Sequence, residues 1–152
     1  MTAATSPSRH DCAFSLVELA AALAVLAILA AIALPAWHGH LMRGWRAQAR
    51  TALTEAMLQL ERHAVGTMTF AAEPGADVAA GDWPLRVPAS GTVRHLVTAA
   101  ACPQATLDAC VELRAVPQLP DPECGVLILR STGQWLALPE GEAVPQRLPA
   151  HC

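Results

Sequence analysis

Ala13-Phe14-Ser15-Leu16-Val17-Glu18-Leu19 opens an apolar run that continues to Leu34 and stops at Pro35. As a helix, the 21 residues 14–34 would extend roughly 31 Å at about 1.5 Å per residue. That is enough to cross the hydrocarbon core of a bilayer. The run contains a single charge, Glu18. A carboxylate at the centre of a membrane helix costs about 2.5–3.5 kcal/mol on insertion scales, and a plain anchor has no use for one. Glu18 lies close enough to the start of the run to snorkel toward headgroups. Carboxylates are rare in membrane spans without a role, which favours a function for it.

The helical pattern continues past the apolar run. Trp45, Ala49, Leu53, Ala56, Leu60 and Ala64 recur at steps of three or four and form one apolar stripe. Arg43, Arg46 and Arg50 fall on another face, which would meet acidic groups on neighbouring subunits or, as is the ordinary outcome for a charged stripe, be solvated. The reading is one long helix from about residue 14 to about 64, apolar all round in its first half and amphipathic in its second, with Gly66 as its stop. Pro35 lacks an N–H and clashes one turn back, so a kink or melted turn is expected there.

Residues 67–82 are small and polar and read as a connecting loop. Short strand-like pieces follow at 93–98, 111–116 and 126–129, and the turn Ser131-Thr132-Gly133 makes 125–138 a hairpin. The tail 139–152 holds three prolines and should be irregular. The fold class is α+β: a long N-terminal helix, its first half transmembrane, packed on a small antiparallel sheet.

The chain has 152 residues and a formal charge of −3, with no lysine, so the basic excess of a typical nucleic-acid binder is missing. Cys12 precedes the apolar run; Cys102, Cys110, Cys124 and Cys152 lie beyond it. Four cysteines in loop-like contexts without a C-x-x-C read as two disulfides rather than a zinc site, and place that region in an oxidising compartment. Three pairings are open to sequence alone. The three arginines after the run, against Arg9 before it, would by the positive-inside rule put the C-terminus in the cytoplasm. The cysteines argue for the opposite side and carry more weight here.

The short polar leader, Phe14, Glu18 as the fifth residue from Phe14, and Pro35 ending the apolar segment together resemble the type IV pilins. The likeness is closest to small PilE-like minor pilins, whose late Cys-Gly-Val-Leu-Ile-Leu…Thr-Gly…Cys pattern is similar to residues 124–152. The resemblance implies a pilin fold with a disulfide-closed C-terminal loop. It implies a prepilin leader over 1–13, a transmembrane and filament-core helix over 14–34, an amphipathic helix over 35–65 and a β-rich head over 66–152. It further implies cleavage between Ala13 and Phe14 by a prepilin peptidase, followed by N-methylation of Phe14; the family usually has Gly where this chain has Ala13. Glu18 and Pro35 become assembly residues, Glu18 by pairing with the freed amine of a neighbouring subunit's Phe14. Locality and the resemblance suggest the pairs Cys102–Cys110 and Cys124–Cys152.

The implied partners are other pilin subunits, the peptidase and methyltransferase, and the inner-membrane pilus assembly machinery. The head would be periplasmic before assembly and on the cell-surface filament afterwards. The alternatives are a pseudopilin of a type II secretion system and a DNA-uptake pilin subunit. The second would need Arg86, Arg94, Arg114 and Arg130 gathered into a basic surface. No catalytic motif appears, so no enzyme and no cofactor is expected. His38-Gly39-His40 is no metal pair, because residues two apart on a helix point in different directions.

Overall fold

The computed structural model describes the chain from Ser15 onward, without the side chains of residues 34–36. It divides into two compact units, residues up to Gly39 and residues from His40 on. Helix α1 spans Leu16–Thr67. Ser15 caps it: the Ser15 hydroxyl accepts from the Val17 N–H at 3.3 Å, and the Ser15 carbonyl accepts from the Leu19 N–H at 3.0 Å. Ser15-Leu16-Val17-Glu18 has the spacing of a capping box, with Glu18 in the first turn where the helix dipole favours an acid. The melted turn expected at Pro35 is not there, since residues 34–36 keep helical backbone. One missing N–H leaves the flanking bonds of so long a helix in place.

In the first unit the helix surface is bare hydrocarbon. Leu16 is 85% exposed and Leu26 66%, and Leu23, Ile28, Leu29 and Ile32 are likewise uncovered. In the second unit Ala49, Leu53, Ala56, Met57 and Leu60 are buried and form one side of the core.

The other side is a six-stranded antiparallel meander in sequential order. Its strands are β1 (Leu85–Val87), β2 (His95–Ala101), β3 (Val111–Pro117), β4 (Val126–Arg130), β5 (Trp135–Leu138) and β6 (Gln146–Arg147). The register opposes Leu113 to Ala99 and Leu129, and Ala115 to Val97 and Leu127, so these residues share the face that meets α1. Each large side chain removed from water there contributes about 1.5–3 kcal/mol. Glu112, Arg114, Ile128 and Arg130 alternate onto the opposite face.

Strands β1 and β6 are not evident in the sequence. They are three and two residues long and flanked by proline, and their extended state follows from pairing with β2 and β5. Those prolines also protect the two edges of the sheet from adding further strands. The 67–82 segment is more than a connection. Ala71 and Ala79 form an isolated bridge and enter the core, and Phe70 donates to the Leu107 carbonyl at 3.0 Å.

Candidate assembly surfaces and the clasp behind them

The first surface is the exposed apolar half of α1 with Glu18 on it. Glu18 is exposed, and among the described residues no donor lies against its carboxylate. Ala13 and Phe14 lie outside the described residues, as does Cys12. Pro35 lies within the helical backbone. Among the described residues Glu18 is thus a lone carboxylate on a hydrocarbon surface, one turn into a capped helix.

The second half of α1 is fastened to the head by a buried ion pair. Arg46 is 4% and Asp121 2% exposed. Arg46 Nε donates to Asp121 Oδ2 at 2.8 Å and its Nη2 to Asp121 Oδ1 at 2.6 Å, a two-pronged match of planar groups. Nη2 also reaches Glu123 Oε2 at 3.0 Å. Asp121 Oδ1 accepts from the Cys124 N–H at 3.2 Å, and the Asp121 carbonyl accepts from the Gly125 N–H at 2.8 Å. One aspartate thus shapes the 121–125 turn and anchors the helix. The Asp121 hydrogen bonds raise the Arg46 pKa against the opposing effect of burial. Burial alone would push Asp121 up, but Arg46 and the turn N–H groups outweigh it and hold the carboxyl below its usual range.

Arg46 corrects the expectation of a solvated arginine stripe. Arg43 and Arg50 are exposed, but Arg46 sits three residues before Ala49 and so continues the buried row 49, 53, 56, 60. That spacing was the available signal. Its acidic partner lies in the Pro120-Asp121-Pro122-Glu123 stretch, where nothing local marks Asp121 as buried.

His95 lies in the same region. It is 3% exposed, and its Nδ1 has no hydrogen-bond partner. Burial pushes its pKa down; nearby Asp121 opposes this and Arg46 reinforces it. Burial therefore disfavours the charged form of His95, which lies near a cation and an anion.

Of the four arginines needed for a basic patch, two share one buried carboxylate and two lie elsewhere. Glu112, 3% exposed, accepts from Arg114 Nε and Arg130 Nε at 2.7 Å each. Arg94 stacks over the Trp45 ring at 4.2 Å. Arg86 is left exposed on β1.

Two disulfides close the head. Cys102 pairs with Cys110, and Cys124 with Cys152, with Cα separations of 5.4 and 5.7 Å. Cys124 and Cys152 are core residues, so the second bond pins the tail under the sheet. Gly125 follows at φ +57°, where an added Cβ would collide with the Leu138 carbonyl. His151 lies beside Cys124 and Cys152, but both sulfurs are spent in the disulfide and cannot act as thiolate ligands.

No curated protein and no solved structure matches the chain. Residues 8–34 match a family model described as the prokaryotic N-terminal methylation motif, which spans part of the leader and the apolar run. The chain carries a type IV pilin-like N-terminal signal, which supports a structural subunit of the pilin-like or pseudopilin kind, anchored in a membrane by its N-terminal helix.

Proposed function

We propose that this chain is a minor pilin of a type IV pilus. The observation that carries the reading is the methylation motif over residues 8–34, whose part from Leu16 on is helix with an exposed hydrocarbon surface interrupted by Glu18, which has no partner among the described residues. Cleavage between Ala13 and Phe14 removes the 1–13 leader, and methylation follows on Phe14. Residues 14–34 hold the subunit in the inner membrane, residues 35–65 continue the helix, and the 66–152 head faces the periplasm. Assembly moves the helix from lipid into a filament core, where a buried carboxylate is tolerable only if paired. Glu18 then takes the freed amine of a neighbouring subunit's Phe14, which sets the axial register. Pro35 gives packed helices a place to bend.

The disulfide-closed C-terminal segment favours a pilus over a pseudopilus. The test is a deletion strain complemented with the wild-type chain or a variant blocked at Ala13. Loss of surface pili and twitching in the deletion and blocked strains, with exoprotein secretion intact, is the expected result. Normal piliation with lost secretion would assign the chain to a secretion pseudopilus.

A further inference from the structure

The head carries two charged clefts at opposite ends of the β4–β5 hairpin. At the turn end, Arg50 of α1, Trp135 of β5 and Arg147 of β6 wall an open cleft of about 500 Å³. The Arg50 guanidinium lies over the Trp135 ring at 5.5 Å. Both arginines are exposed, and among the described residues neither has a carboxylate within ion-pair distance. At the other end, the 117–121 and 139–142 segments border a cleft of about 380 Å³ that presents Leu119, Glu140 and Glu142. Neither glutamate is paired within the described residues.

The register keeps these features apart. Val126↔Leu138 closes the acidic end of the hairpin and Leu129↔Trp135 the basic end. Three residue steps of strand, about 10 Å, lie between them, so the chain does not satisfy one end with the other.

We infer that the Arg50–Trp135–Arg147 cleft receives the 139–142 loop of a second copy of this chain, with Glu140 and Glu142 as the anions. Two guanidiniums supply forked donors suited to carboxylates, and the indole supplies a flat apolar floor. The donor loop is already shaped: Glu142 N–H donates to the Pro139 carbonyl at 3.2 Å, and Gly141 takes φ +87°. A preformed loop loses less conformational freedom on docking. The two surfaces are different and lie at opposite ends, so the contact is heterologous and does not close into a two-fold dimer. The inference rests on the filament reading above. It needs two copies side by side and sets no abundance.

The test places a photo-crosslinking amino acid at Gln134, which lines the basic cleft, in the full-length chain expressed in filament-forming cells. Membranes and sheared filaments are then analysed by mass spectrometry. The expected product joins two copies, with the far end in 139–142. Arg147→Glu in the probe-bearing copy, or Glu140→Arg with Glu142→Arg in the other, lowers the yield about tenfold, and combining them restores it. Copies present in sheared filaments without this adduct, adducts to other proteins alone, or a yield indifferent to charge reversal would overturn the inference while leaving the filament reading intact. The charge-sensitive adduct in membranes, with the chain absent from filaments, would support the contact and remove the filament reading. Absence of both removes both.

Discussion

Arg46 and Asp121, separated by 75 residues of sequence, meet as a buried two-pronged ion pair that fastens the second half of α1 to the turn before β4. Pairs of this kind are costly to break and not always costly to replace. Removing one partner leaves the other charge buried and uncompensated, whereas apolar residues of similar volume avoid the desolvation penalty altogether.

Arg46→Ala should therefore destabilise the head by about 3–5 kcal/mol. Asp121→Ala should do at least as much, since it also removes the acceptor of the Cys124 N–H. Arg46→Met combined with Asp121→Leu should recover the part owed to the uncompensated charge but not the lost Cys124 N–H acceptor. Thermal unfolding of the full chain in detergent, run as a double-mutant cycle, measures the coupling. Additive losses would show that the pair contributes nothing beyond packing.

Acid should loosen the same region in two stages. The folded pKa of His95 lies below its ordinary value of 6.5, so the unfolded chain takes up that proton first. Stability is full above pH 6.5 and falls as pH drops from there to the folded value. Asp121 is held below 3.8, so its contribution is present above that value and is lost as pH falls through the lower folded pKa. Melting temperatures measured from about pH 7.5 to about pH 4.5 should decline, and His95→Leu should flatten that decline. The arginine and aspartate facing His95 stay charged over this window.

Loss of the Cys124–Cys152 bond should destabilise the head by roughly 3–4 kcal/mol, and loss of Cys102–Cys110 by roughly 2–3 kcal/mol, because the first closes the longer loop. Paired serine variants compared by chemical denaturation give the ordering. The longer loop should matter more also because both of its cysteines lie in the core.

Gly125→Ala should cost about 1–3 kcal/mol through the positive φ alone, and more through the collision with Leu138. Slow or incomplete oxidation of Cys124 during expression is the accompanying sign, read by thiol labelling. An unchanged melting temperature would mean the 124–125 turn relaxes freely.

Glu18→Ala should leave the protein in the membrane and remove it from sheared filaments. Glu18→Gln should behave like Ala if charge is what matters, and like wild type if a hydrogen bond suffices. Quantitative immunoblots of membrane and filament fractions separate these outcomes.

The helix and its change of character after the apolar run that Pro35 ends were legible because hydrophobic periodicity is a local property. An all-apolar surface has to face lipid or partner helices, and the row 49, 53, 56, 60 has to face a core. The alternation Val111-Glu112-Leu113-Arg114 and the turn Ser131-Thr132-Gly133 likewise marked β3 and the β4–β5 hairpin, because strand period and turn chemistry act over a few residues. What depends on distant partners was not legible. The strands β1 and β6 are extended only because β2 and β5 hold them. Glu112 is buried on the outer face of the sheet because register sets it opposite Arg130 and two residues from Arg114. Arg46 carries the same lesson most plainly. Spacing placed it on the buried row, but a buried arginine needs an acid, and only the tertiary fold brings Asp121 to it. Sequence alone thus determined the membrane-anchoring helix and the class of fold behind it. The tertiary structure decided which charges are paired within the chain, and so which remain free to meet a neighbour, because charge pairing is settled by proximity in space.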